Sequence, residues 1–198
     1  MSEELTRPRY LEVSNHFFHD AQDFFIRYKH CMESEGPLFY TPRSMCTKSF
    51  IDLRMGIESV LKSLICYFES SDRQGKTLIN WIEKYGHNIG KMVRKVRPHL
   101  PEDIVKDYED DILKMNGLPV GLRYRLDAWD FRGNSDDYYN ETIGCDYWLK
   151  KIQEALSKLI DFSNKNLKSH SRVVRSSELW AEVMEPRYKK YIQTDTTS

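Results

Sequence analysis

The stretch from Ser49 to Phe68, SFIDLRMGIESVLKSLICYF, constrains this chain more than any other. Phe50, Leu53, Ile57, Val60, Leu61, Leu64 and Phe68 recur at helical spacing, so one face of a helix carries a continuous apolar stripe. Ile51, Met55, Ile65 and Cys66 widen that stripe, which places the helix at the centre of a fold rather than on its edge. Asp52, Arg54, Glu58 and Lys62 interrupt the apolar residues. Arg54 and Glu58 are four positions apart, as are Glu58 and Lys62, so they read as an ion-pair ladder on a solvated face. The alternative is that some of these charges face a partner or a ligand.

The segments on either side are helical too. Tyr10, Phe17, Ala21, Phe24 and Tyr28, with Phe18 and Phe25 beside them, set the stripe of a first helix from Arg9 to about Met32, with Pro8 in its first turn and Glu35-Gly36-Pro37 as its stop. Thr41-Pro42 is a cap followed by a first-turn proline, and opens the central helix, which runs to about Glu69. Two short helices follow, Lys76 to Tyr85 and Ile89 to Val96. Gly86 suits a left-handed residue between them, and His87 or Asn88 suits the cap of the second. Pro101-Glu102-Asp103 begins another helix, which ends near Met115. Asn116 to Gly144 is irregular, and Cys145 to Leu167 is strongly helical. Ser176 to Met184 forms a last helix, broken by Pro186. Leu122 to Phe131 could be extended or a short turn of helix, and no convincing strand is present. The expected fold is all-α: an up-down bundle of four to five long helices plus short ones over residues 1–170, a helical extension over 171–192 and a disordered tail over 193–198.

Charge and cysteine content narrow the function classes. Lys plus Arg and Asp plus Glu are 30 each, a formal net charge of zero, so bulk attraction to a polyanion is excluded while a local basic face is not. The four cysteines, Cys31, Cys46, Cys66 and Cys145, are widely spaced with no CxxC pair, which fits a reducing compartment. The N-terminal residues carry no signal-peptide core, and no run has the length of a membrane span. The expectation is a soluble cytoplasmic protein with no membrane partner.

The order of the pieces resembles the HEPN domain, the helical bundle named for nucleotide binding in higher eukaryotes and prokaryotes. The likeness covers about residues 8–168. GIESVLKSLICYF resembles the family's apolar–Glu–x–x–Leu–Lys–x–Leu helix. Gly86-His87-Asn88-Ile89 resembles its Gly-His-Asp/Asn-Leu turn, Leu122-Arg123-Tyr124-Arg125 its Arg-Tyr segment, and CDYWLKKIQEALSKLIDF its final helix. The resemblance implies a bundle that often pairs with itself. It further implies either a metal-independent RNase with an Arg-x4-6-His motif, or a non-catalytic nucleotide- or RNA-binding module that partners nucleotidyltransferases or acts in defence or toxin–antitoxin operons. The nuclease motif is missing after Arg123 and Arg125, where Ala128, Trp129, Asp130 and Phe131 stand. Its spacing recurs at Arg94 and His99. There Arg94 would hold a phosphate and His99 would move the proton of an attacking 2′-hydroxyl.

The residues themselves offer one basic face. Lys91, Arg94, Lys95 and Arg97 lie opposite Met92, Val93 and Val96, and with His99, Arg123 and Arg125 could bind phosphate. Tyr124 and Trp129 could stack a base beside them. Against this, Glu102, Asp103, Asp107, Glu109, Asp110 and Asp111 on the next helix could neutralise the patch. His16, His19, Asp20 and Asp23 share a helix face, but one helix makes an incomplete metal site, so they read as a solvated face and no metal is expected. There is no cofactor fingerprint such as GxxxxGK[ST] or GxGxxG. The function expected is a HEPN-like, non-catalytic nucleotide- or RNA-binding module acting as a homodimer. The alternatives are a metal-independent RNase using Arg94 and His99, and a protein-interaction adaptor using Trp180, Tyr188 and Tyr191 as a clasp.

Overall fold

A computed structural model describes residues 10–33, 41–118 and 140–167. The expected helix at 176–184, the terminal tail and the segment carrying Arg123, Tyr124, Arg125 and Trp129 lie outside the described residues. The described residues form six α-helices: α1 (Tyr10–Glu33), α2 (Pro42–Glu69), α3 (Gly75–Glu83), α4 (Ile89–Val96), α5 (Glu102–Lys114) and α6 (Asp146–Leu167). Short 3-10 turns at Arg97–His99 and Met115–Gly117 follow α4 and α5. No β-strand occurs among the described residues, so the fold is an all-α bundle. Within those residues no helix is long and apolar enough to cross a membrane.

α2 begins where its sequence directs. Thr41 is extended, and its side chain accepts the backbone N–H of Ser44 at 3.1 Å, with Pro42 in the first turn. Phe50, Leu53, Ile57, Val60, Leu61 and Ile65 are fully buried. Each such side chain contributes about 1.5–3 kcal/mol relative to exposure, so α2 is the member the others gather on. Ser14 of α1 meets Ser63 of α2, and Arg27 meets Asp52, so the two helices run antiparallel. Phe50 packs on Trp148, Gly56 faces Leu156 and Phe68 stacks near Phe162, so α6 runs parallel to α2.

The buried stripe of α1 is Ser14, Phe18, Ala21, Phe25 and Tyr28, offset from the expected one. Phe17 is only partly buried at the margin of the core. The offset has a polar cause. Ser14 is completely buried because its hydroxyl donates to the Ser63 carbonyl at 2.8 Å and lies 3.1 Å from the Ser63 hydroxyl. A buried hydroxyl with its bonds made can occupy a core position that hydropathy alone denies it.

The ion-pair ladder expected on α2 is corrected by the structure. Asp52, Arg54 and Glu58 are 5%, 6% and 3% exposed, and they leave the helix in different directions. Asp52 meets Arg27 of α1 at 2.9 Å. Arg54 donates to the carbonyls of Met115 and Leu118, both at 2.6 Å, and so anchors the turn after α5. Glu58–Lys62 forms as an i,i+4 pair, at 2.6 Å. A helix surrounded by other helices has no solvated face, and its charges become the ties between elements.

Candidate functional site

The site is built on α4 and the turn after it. Gly86 has φ +52°, the left-handed conformation that ends the α3 region, and an ordinary side chain there would be strained. Asn88 caps α4 by accepting the Lys91 N–H at 2.8 Å. Ile89, Met92, Val93 and Val96 are buried, which turns Lys91 and Arg94 outward. The Arg97–His99 turn then redirects the chain, and Pro101 starts α5.

Both ends of this segment are tied to α2 in the same way. At the near end, His87 Nδ1 lies 2.9 and 3.1 Å from the two carboxylate oxygens of Glu58, which also accepts from Lys62. At the far end, Glu69 accepts from Lys95 Nζ at 2.5 Å and from His99 Nε2 at 2.8 Å. The His99 ring lies flat on Phe68, with centroids 4.4 Å apart and planes 3° apart. Those two hydrogen bonds hold the Glu69 carboxyl below its ordinary pKa of 4.5. Glu58 and Glu69 are eleven positions apart, about three helical turns, and therefore on the same side of α2.

The expected cations are thus not equivalent. Lys95 and His99 are committed to Glu69. Arg97 uses its Nε on Glu109 Oε2 at 3.0 Å, a bond that leaves the two terminal amino groups of its guanidinium outside it. Lys91 and Arg94 are exposed and have no acidic partner among the described residues. The acidic helix therefore neutralises the face less than its composition suggests. Among the described residues, Glu109 alone of its acids meets a cation of the α4 segment, while Asp103 pairs with Lys158 at 3.6 Å and Asp111 with Lys114 at 3.6 Å. Arg94 and Arg97 line an open depression of about 530 Å³ with Pro98, Leu100, Glu102 and Val105. His99 is not among its walls. Arg123, Arg125, Tyr124 and Trp129 fall outside the described residues, so the structure neither adds them to this face nor removes them from it.

Glu58 and Glu69 are the participants that sequence reasoning missed as partners of the histidines. His87 reads locally as a cap, yet Asn88 caps the helix and His87 binds Glu58. Sequence separations of 29 and 30 leave no local signal. The available hint was an acid on an otherwise apolar helix, which needs a donor from elsewhere. His16, His19, Asp20 and Asp23 lie exposed on α1, and among the described residues no group of three or more potential ligands converges to hold a metal ion. All four cysteines are free thiols, and burial pushes that of Cys66 up to about 12. Comparison with protein-family models, curated proteins and solved structures returned no match.

Proposed function

We propose that this chain is a HEPN-like helical module that binds a phosphate-bearing ligand, RNA or a nucleotide, without cleaving it. The observation that carries the reading is the division of labour among the cations of residues 91–99. Glu69 takes Lys95 and His99, whereas Lys91 and Arg94 stay exposed, with no acidic partner among the described residues, on a helix anchored at both ends. Side chains held on a rigid element lose less freedom when they meet a phosphate than the same residues on a loop. Arg123 and Arg125, with Tyr124 and Trp129 as stacking rings, remain candidates to complete the face.

The nuclease alternative, Arg94 with His99, has less support. The imidazole would have to leave Glu69 and Phe68 to reach a 2′-hydroxyl beside Arg94. The resemblance also suggests pairing of two copies and a setting beside a nucleotidyltransferase or within a toxin–antitoxin operon. An adaptor role for Trp180, Tyr188 and Tyr191 rests on residues outside the described ones.

The test is binding of labelled single-stranded RNA at low salt by fluorescence anisotropy. Lys91→Glu with Arg94→Glu, and separately Arg123→Glu with Arg125→Glu, should each weaken binding by at least about tenfold, because each pair removes phosphate contacts and adds repulsion. Affinity for RNA and nucleotides that is unchanged in both double variants overturns the reading.

A further inference from the structure

His87 is held by one nitrogen of its ring and open at the other. The turn that carries it is fixed on both sides. Gly86 has φ +52°, the Asn88 N–H donates to the Tyr85 carbonyl at 3.0 Å, and the Ile89 N–H donates to the His87 carbonyl at 3.1 Å. The ring is fixed by Glu58, whose two carboxylate oxygens lie 2.9 and 3.1 Å from Nδ1. Glu58 is buried, and Lys62 holds its Oε1 at 2.6 Å, so the carboxylate is itself anchored. The His87 side chain nonetheless keeps 47% of its surface in solvent. Its Nε2 has no hydrogen-bond partner among the described residues.

This geometry decides which nitrogen carries the proton. A carboxylate paired with an ammonium offers only lone pairs, so Nδ1 must donate to it. In the neutral ring the free lone pair is then on Nε2, the nitrogen remote from the backbone. His99 is the opposite case. Its Nε2 faces Glu69 at 2.8 Å, which leaves the lone pair on Nδ1, beside its own backbone, and the ring lies flat on Phe68. His16 and His19 are exposed on α1 with no carboxylate partner among the described residues. An imidazole with a fixed Nδ1–H, a carboxylate behind it and an open Nε2 is built to act as a nucleophile. As a bond forms at Nε2, positive charge develops on the ring, and Glu58 is already in place to meet it. An imidazole without such a carboxylate has only water, which must reorganise.

We infer that His87 is a phosphoryl-acceptor site, modified at Nε2 by a donor of the phosphoramidate class. The Nε2 lone pair attacks phosphorus and forms an N–P bond. The donor's own P–N bond breaks, and its nitrogen leaves with the bonding pair, as ammonia when the donor is phosphoramidate itself. The ring keeps its Nδ1 proton and becomes an imidazolium whose charge faces Glu58. The link to α2 therefore survives, and the modification adds negative charge just before α4 without releasing the helix. His87 is not among the cations used for the phosphate-binding reading, so the two stand or fall separately.

The experiment incubates the full chain with potassium phosphoramidate at neutral pH and digests it without acid, which would cleave the N–P bond. Mass spectrometry maps the labelled histidines, and phosphorus NMR separates Nε2 from Nδ1 products. His87 should be labelled at Nε2 at least about tenfold faster than His16 or His19, because they lack the oriented carboxylate. Glu58→Gln should slow labelling of His87 by about tenfold while leaving His16 and His19 within about twofold, since the amide keeps an acceptor for Nδ1 but loses the charge. Circular dichroism checks that this variant is folded. Labelling of His87 no faster than that of His16 and His19, or at Nδ1, overturns the proposal. So does a folded Glu58→Gln protein that labels His87 as fast as the unchanged chain. The relative rate and the ring position come from the unchanged chain alone, so they decide the matter even where Glu58→Gln does not fold.

Discussion

Asp52 and Glu69 are acids on the same helix whose surroundings act on them in opposite senses. Asp52 is buried, and that burial raises its carboxyl above the ordinary value of 3.8 more than the guanidinium of Arg27 lowers it. The native state therefore holds its proton where the unfolded chain has lost it, and stability falls as pH rises from the ordinary value through the raised one. Glu69 is lowered by Lys95 and His99, so its contribution is fully present above 4.5 and is lost as pH falls through the depressed native value. At pH 7, Asp52→Asn should raise the Tm by about 2 °C, because the neutral amide avoids an under-compensated buried charge and the exposed Arg27 returns to water. Glu69→Gln should cost about 1 kcal/mol at pH 7, a value kept small by partial exposure. The Glu69→Gln deficit should shrink towards zero in acid. Thermal melts from pH 3 to pH 8 check both. A Glu69→Gln deficit that is independent of pH contradicts the assignment. The residue scale is also where the sequence was least legible. Arg54, Glu58 and Lys62 have the spacing of a surface ladder, and nothing within four residues of Arg54 announces that its partners are the carbonyls of Met115 and Leu118.

At the scale of elements, α2 and α6 approach closely because Gly56 has no side chain. A Cβ there would lie 2.6 Å from a terminal methyl of the fully buried Leu156. In a solvated helix, Gly→Ala gains about 1 kcal/mol. Here overpacking costs about 1–3 kcal/mol, and the net effect of Gly56→Ala should be a loss of about 1 kcal/mol. Gly56→Ala combined with Leu156→Val should be more stable than the sum of the single changes, because the methyl that blocks the new Cβ has been shortened away. Urea titrations of the four proteins measure that coupling, and additivity would show that the two positions do not compete for the same space. Elements were the legible scale. Thr41 with Pro42, Gly86 with Asn88, and the stripe from Phe50 to Phe68 each carry local chemistry that places a boundary or a buried face, and the structure has them there. The stripe of α1 slipped because Ser14 is polar by type and buried by circumstance, a distinction that only Ser63 reveals.

For the molecule as a whole, the consequence lies in how α4 is attached. Its inner face contributes Ile89, Met92, Val93 and Val96 to the core, and eight residues of helix are too few to be stable alone. Its hold on the bundle is completed by Glu58 with His87 at one end and Glu69 with His99 and Lys95 at the other. The two acids share a side of α2, so one helix sets both the position and the tilt of the face that carries Lys91 and Arg94. Replacing both acids with glutamine keeps the side-chain size and one acceptor at each end but removes the charge that strengthens the bonds. Glu58→Gln with Glu69→Gln should therefore raise local opening of residues 87–99 by about tenfold, since a hydrogen bond to a charged group contributes about 1.5–3 kcal/mol and each amide recovers part of it. Amide hydrogen exchange should be faster across α4 and nearly unchanged in the buried middle of α1 and α6. If protection instead falls equally in all three helices, the two glutamates stabilise the bundle generally and are not the clasps of α4.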